Sequence, residues 1–439
     1  MTSSPTTFAD PVASKLREAQ TLIEAGKFPE AAGKLNATRA VAPNDPRVYL
    51  LGMLLAEAAG NPQGALQSGQ RALELGYEWP VAVTEVALLL ARQNKFDDAI
   101  ALASRAVKLD GDNPALLGRV IDIAHRAKRL DMAIPWLERA IKIAPEHLHI
   151  QYLLARDHAE TGAHERALAG LEPLLQAKPN DPILLICRLK SRLALGQTAR
   201  ATQDGETLVA LEPDNPKYSF WRDLAAGITP PRYPPSMVRE MYDGFADTFD
   251  QHLVTGLKYS LPRKVAASIK GFYPDNTLNI LDLGCGTGLL GATLGRINGA
   301  LVGVELSEKM IEQAARHGVY DRFHNVDLVG ALQETPEALY DVITALDVLI
   351  YVGDLGETIT NAKRILKPGG RFIFSCEAAG EGEKNLMFRS TQRFAHKPSH
   401  VETQCRSAGF DDVYIEFVTL RFEAGKPIEG FLVNAEKPA

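Results

Sequence analysis

The chain has 439 residues, a formal net charge of −6 and a pI near 6.0, a length beyond what one core usually serves and an acidity, with no basic stripe, that disfavours a nucleic-acid partner. Cys187, Cys285, Cys376 and Cys405 have neither metal-ligand spacing nor a paired framework, which points to a reducing cytoplasm and no bound metal. The opening Met-Thr-Ser-Ser-Pro-Thr-Thr lacks a basic start and an apolar core, and no run reaches about 18 apolar residues, so neither export nor a membrane span is expected.

Residues 12–227 keep a 34-residue period. Alanine recurs at 31, 65, 99, 133, 167 and 201. Proline follows the same period at Pro46, Pro80, Pro114, Pro182 and Pro216, with Leu148 in the fourth place. Five residues before the alanines stand Gly26, Gly60, Gly162 and Gly196, with Asn94 and Lys128 in the middle repeats. Proline suits the first helical position, and glycine suits the end of a helix and the turn after it. This helix-turn-helix period resembles the tetratricopeptide repeat. Six repeats, starting near 12, 46, 80, 114, 148 and 182 and capped by 216–227, predict an all-α solenoid. The eighth position departs from the usual glycine of the repeat, with Ala19, Met53, Ala87, Ile121, Ala155 and Leu189. The resemblance implies a groove that grips a partner protein or peptide; a rigid spacer or dimerisation surface is the plainer reading.

Ile228-Thr-Pro-Pro-Arg-Tyr-Pro-Pro-Ser236 reads as a short, stiff linker at 228–236, leaving 237–439 as a second domain. That domain opens on Tyr242-Asp-Gly-Phe-Ala-Asp-Thr-Phe-Asp-Gln-His-Leu253, followed by Tyr259. Phe245 and Phe249, at i and i+4, share a helix face, so core packing is open for them beside ligand contact.

Ile280-Leu-Asp-Leu-Gly-Cys-Gly-Thr-Gly288 is an apolar strand ending in a glycine loop that opens a helix over 289–296. Gly284, Gly286 and Gly288 permit positive φ and let a ligand press on main-chain amides. A dinucleotide fingerprint would need its third glycine where Leu289 stands, and no Lys-Ser or Lys-Thr follows to make a phosphate loop. Leu301-Val-Gly-Val-Glu305 supplies a second strand and a carboxylate able to pair with two hydroxyls at once, with Leu306 beside it. Val326-Asp327-Leu328 marks the third strand end, 340–346 the fourth strand, and Asp347-Val-Leu-Ile-Tyr351 its exit. Leu366-Lys-Pro-Gly-Gly370 is the turn before a fifth strand at 371–375. Then 387–396 reads as an exposed strand or loop, followed by a helix ending at Gly409 and an antiparallel pair at one sheet edge. Strand-helix alternation predicts an α/β domain with a parallel sheet.

These landmarks, in this order, resemble the class I S-adenosylmethionine-dependent methyltransferases. With the repeats ahead of them and the Tyr-Asp-x-x-Ala-x-x-Phe-Asp pattern at 242–250, the chain is similar over residues 12–437 to bacterial tetratricopeptide-repeat-fused methyltransferases and to the Williams-Beuren-region methyltransferase-like proteins. The resemblance implies a Rossmann-like fold and S-adenosyl-L-methionine as cofactor. It places Tyr242 and Phe249 in a helix over the cofactor, and Gly284, Cys285, Gly286 and Gly288 in its loop. Asp282 either touches the cofactor or braces the loop by accepting amide hydrogen bonds. Glu305 and Leu306 meet the ribose, Asp327 and Leu328 the adenine, and Asp347 lies over the reaction pocket. Asp347, Tyr351 and His396 are the candidate proton acceptors. Pocket shaping competes for the first two, and a surface pairing with Arg393 for the third. No Asn-Pro-Pro-Tyr or Asp-Pro-Pro-Tyr occurs where Ala345-Leu-Asp-Val stands, which disfavours amino-adenine and glutamine-amide acceptors. A Pro-Cys pair for attack on cytosine is absent too, so a small molecule or a protein remains as methyl acceptor. Two functions follow: a methyltransferase whose repeats recruit a protein partner or substrate, or a repeat scaffold whose methyltransferase fold is a non-catalytic cofactor-binding module.

Overall fold

The computed structural model describes residues 12–244, 259–389, 391–423 and 426–439. Phe245 and Phe249, expected beside the cofactor, lie outside the described residues. The chain divides into two compact units, residues 1–195 and 196–439. No helix among the described residues is long and apolar enough to cross a membrane.

Among the described residues the first unit is a run of eleven helices, from Ala13–Glu24 to Pro182–Ala194. Pro46, Pro80, Pro114 and Pro182 each open a helix, where the missing N–H forfeits no hydrogen bond. The side chains of Asp45, Asn113 and Asp181, one residue earlier, accept amide hydrogens of the first turn. Ala31, Ala65, Ala99, Ala133 and Ala167 are all fully buried; a larger side chain there would wedge paired helices apart. The eighth-position residues Met53, Ile121 and Leu189 are buried as well, so this array fills with apolar bulk the space that glycine leaves in the usual repeat.

The turn slot shows what the repeat geometry imposes. Gly26, Gly60 and Gly162 have φ of +71°, +72° and +82°, and Asn94 and Lys128 are held at +59° and +53° in the same place. Left-handed backbone costs an L side chain about 1–2 kcal/mol, a cost met by the packed helices on either side. On the backbone terms Lys128→Gly is therefore expected to stabilise the first unit by up to about 1.5 kcal/mol, once glycine's extra freedom in the unfolded chain is subtracted. The measurement is the urea midpoint of unfolding. A lowered midpoint would mean that the Lys128 side chain contributes more than the turn costs.

In the second unit, helices Thr198–Leu211 and Pro216–Ala225 precede the sheet. Its strands are β1 (Ile280–Leu283), β2 (Leu301–Val304), β3 (Arg322–His324), β4 (Tyr340–Ala345), β5 (Leu366–Ala378), β6 (Leu386–Phe388), β7 (Phe394–His396), β8 (Asp412–Glu423) and β9 (Lys426–Glu436). The order β3-β2-β1-β4-β5 is parallel throughout, and β9 then adds antiparallel to β5 and to β8. Helix Leu261–Phe272 packs on one face, with Val265 and Ile269 against Ile280, Leu301 and Val342. Helices Gly356–Ile365 and Pro398–Ser407 cover the other, with Ile359 and Val401 against Leu281, Phe372 and Phe374. Strands so buried on both faces read as nearly continuous apolar runs, which is why the sequence shows them clearly.

Two stretches differ from expectation. The turn expected at 366–370 belongs to β5, because Leu366 pairs with Tyr340 before a bulge resets the register at Val342 and Arg371. The segment expected to be exposed at 387–396 carries a hairpin of β6 and β7. All of β7 is buried, because it pairs with Glu377 and Ala378 at the end of β5.

Candidate functional site

The C-terminal ends of β1, β2 and β4 converge on one pocket, the place where an open α/β sheet offers a ligand crevice. Its walls include Gly284, Cys285, Gly286, Glu305, Leu306 and Leu328, and it continues to Tyr242, Tyr259, Asp347 and Tyr351. Gly284 has φ +63°, and a Cβ there would collide with the Val348 side chain, so the first bend of the loop admits glycine alone. Gly288 is not in the lining. At φ +80° it starts the short helix Leu289–Leu294 and packs closely on Ala314 and Tyr320.

Glu305 is 8% exposed and works with both oxygens. Oε2 accepts the Gly286 amide at 3.0 Å and Oε1 the Ser307 amide at 2.9 Å, tying the glycine loop to the end of β2. Burial raises its pKa, and the backbone amides oppose that rise. Asp282, weighed both as a cofactor contact and as a brace through amides, lines the pocket and is itself held by two hydroxyls. Its Oδ1 accepts from Thr344 at 2.7 Å and its Oδ2 from Tyr320 at 2.6 Å, while burial lifts its pKa to about 6. Burial also pushes the Cys285 thiol well up, so that residue offers packing and no thiolate. Asp327 lies outside the lining although Val326 and Leu328 belong to it. It caps helix Leu328–Glu334 and pairs with Arg232 at 2.8 Å.

The other end of the pocket is built from tyrosines and one strained aspartate. The Tyr242 and Tyr351 hydroxyls lie 3.0 Å apart with their rings edge to face. Asp347 has φ +56°, a conformation that costs a non-glycine residue about 1–3 kcal/mol and that clusters at functional sites. Its amide donates to Ser375 Oγ at 2.8 Å, and its carboxylate is held by Arg421. Arg421, with a side chain 1% exposed, also meets Glu377 and Glu423. Arg393 joins the same cluster, pairing with Glu423 and lying 3.8 Å from Glu377. Two guanidinium groups against three carboxylates leave one negative charge beside the pocket. Burial pushes Asp347 up to about 6, with Arg421 and Arg393 pulling it back down.

The structure does not bring His396 to this pocket. β7 carries it into the interior, where the ring is 2% exposed and Nε2 donates to the Gly353 carbonyl at 2.9 Å. Burial lowers its pKa to about 4, which also removes it as a base poised near neutral pH. Arg393, weighed as a surface partner of His396, instead belongs to the Arg421 cluster. Arg421, Glu377 and Glu423 escaped the sequence reading because no local spacing links them. The one signal was an arginine inside the mostly apolar stretch Phe417-Val-Thr-Leu-Arg-Phe422.

The lining fits S-adenosylmethionine better than a dinucleotide. It offers Glu305 for paired ribose hydroxyls and apolar walls from Leu289, Leu290 and Val304. Among the described residues that line it there is no lysine or arginine to meet a pyrophosphate, and the carboxylates suit a cation.

Both the repeats and the sheet domain have similar sequences among known proteins. A methyltransferase-domain family model matches residues 281–372, and tetratricopeptide-repeat models match 16–78, 86–147 and 124–186. The ubiquinone biosynthesis O-methyltransferase of Paracidovorax citrulli is 30% identical over 160 residues, covering 33% of this chain and 67% of the relative. Its counterpart from Maricaulis maris is 30% identical over 195 residues, covering 39% and 76%. Among solved structures, the magnesium protoporphyrin IX methyltransferase of Synechocystis is 19% identical with a TM-score of 0.37, covering 46% of this chain and 99% of that one. The chain belongs to the S-adenosylmethionine-dependent methyltransferase family and carries tetratricopeptide repeats ahead of the methyltransferase fold.

Proposed function

We infer that this chain methylates a hydroxyl oxygen of a small aromatic acceptor, and that its repeats recruit a protein that presents the acceptor. The observation that carries the reading is the strained Asp347 beside the paired Tyr242 and Tyr351 hydroxyls, all three lining the cofactor pocket. The relatives named O-methyltransferases favour oxygen as the accepting atom. When bound, S-adenosylmethionine supplies an electrophilic methyl group on a sulfonium. The protein's own residues orient the acceptor, exclude water and take its proton. Tyr242, Tyr259 and Tyr351 offer ring faces and edges to an aromatic acceptor. Asp347 is the base, since its pKa of about 6 leaves it ionised at neutral pH and close to the range where proton transfer is efficient.

The test is release of S-adenosylhomocysteine by the full chain with a panel of phenols and catechols. Asp347→Asn is expected to cut turnover by about 10²–10⁴-fold, the usual contribution of a general base, with cofactor affinity within a few fold. Turnover of amines with every phenol inert would overturn the reading. A protein captured by the repeats should deliver either a methylated side chain or a methylated small molecule when labelled cofactor is supplied.

A further inference from the structure

Resting on that methyl-transfer reading, we propose that Arg421 is the positioning residue for Asp347: its guanidinium holds Oδ1 and leaves Oδ2 to take the acceptor's proton. Arg421 engages Asp347 with Nη1, Glu377 with Nη2 and Glu423 with Nε, so all three nitrogens of the fork are committed. Asp347 Oδ2 takes no hydrogen bond among the described residues. Asp347 lines the pocket and Arg421 does not, so Arg421 acts through the carboxylate and not on the ligand.

Arg421 comes from β8, which reaches β5 only through β9, so its side chain spans the width of a strand to meet Glu377. Such a cluster is costly to bury unless every charge is matched, and here the arginine satisfies three carboxylates that would otherwise repel one another. In the reaction step the acceptor O–H gives its proton to Asp347 Oδ2, and the oxygen's electron pair forms the bond to the methyl carbon. Bound S-adenosylmethionine would supply that methyl carbon and keep the electron pair of the broken carbon–sulfur bond on sulfur, so that its sulfonium charge would be discharged. Asp347 is left neutral until solvent removes the proton.

The groups facing Asp347 are Arg421 and Glu423 from β8, Arg393 from the turn before β7, Glu377 from β5, and the hydroxyls of Tyr242, Tyr259 and Tyr351. After burial, which raises the Asp347 pKa, Arg421 is the largest influence and lowers it. Removing Arg421 therefore protonates Asp347 at a higher pH and moves the acidic limb of activity upward.

The experiment uses the full chain labelled with [γ-¹³C]aspartate, the Asp347 signal being the one lost in Asp347→Asn. Titration of wild type, Arg421→Met and Arg421→Lys is expected to show a midpoint raised by about one unit or more in Arg421→Met, and by less in Arg421→Lys. S-adenosylmethionine affinity stays within a few fold in both. In the phenol assay the acidic limb of kcat/KM moves with the midpoint, whereas a merely structural defect lowers the rate equally at every pH. An unchanged midpoint in folded Arg421→Met overturns the proposal. Should that variant not fold, Arg421→Lys, which keeps a charge but cannot hold three carboxylates, must raise the midpoint or the proposal fails. A wild type that turns over no acceptor sinks the methyl-transfer reading, while the titration still decides whether Arg421 governs Asp347.

Discussion

Glu305→Ala is expected to weaken S-adenosylmethionine binding by roughly 1.5–3 kcal/mol, on the order of 10- to 100-fold in Kd, the scale for losing a charge-assisted hydrogen bond. The loss has two sources. The carboxylate proposed to pair with the ribose hydroxyls disappears, and so does the tie from Oε2 to the Gly286 amide and from Oε1 to the Ser307 amide. Glu305→Gln separates them imperfectly but usefully. Its amide nitrogen must turn toward one of those two backbone N–H groups, so it keeps the shape while breaking one tie. Calorimetric titration of the cofactor and of its demethylated product into both variants gives the measurement. Affinity unchanged in a folded Glu305→Ala protein would remove Glu305 from the binding site.

Phe220→Ala is expected to destabilise the second unit by about 3–5 kcal/mol, the range for a large buried aromatic cut to a methyl group. Phe220 is 3% exposed and its ring lies 5.3 Å from Trp221, 4.5 Å from Tyr233 and 5.9 Å from Phe388. Tyr233 in turn packs edge-on against Tyr351 at 5.5 Å and donates its backbone amide to the Tyr351 carbonyl at 2.9 Å. A void at Phe220 therefore loosens the residue that holds the tyrosine end of the pocket. The readout is the urea concentration at which cofactor binding is lost, since that signal follows the second unit alone. A fragment beginning at residue 228 lacks Phe220 and Trp221 and should behave like the variant, whereas one beginning at residue 196 keeps both. Equal stability of the two fragments would show that the aromatic cluster carries little of the load.

Much of the molecule is legible in the order of its residues, because the features concerned are local. A proline at the first helical position, a small residue at a close helix contact and a left-handed turn each act within a few positions, so a 34-residue period prints them directly. Lys128 shows how strong that local rule is: the repeat holds it at φ +53° although it is not glycine. The glycine loop and Glu305 are equally readable, since each stands at the end of an apolar strand whose length and partners follow from the βαβ pattern.

Residues that act across the sheet were not readable in that way. Arg421 and Glu423 reach Glu377 because β9 inserts between β5 and β8 and sets their register, while the end of β4 brings in Asp347 and the pairing of β7 with β5 brings in Arg393. No spacing along the chain encodes that alignment. The pairing of β7 with the end of β5, separate from that of β9, turns His396 inward and away from the pocket. Helices Thr198–Leu211 and Pro216–Ala225 look like the continuation of the repeats, yet they group with the second unit, where Phe220 packs on Tyr233. Period and propensity report what a residue does to its neighbours in sequence. Burial, ionisation and the choice between brace and base depend on which distant groups the fold brings within a few ångströms, where a missing or extra charge changes the protonation state of the site.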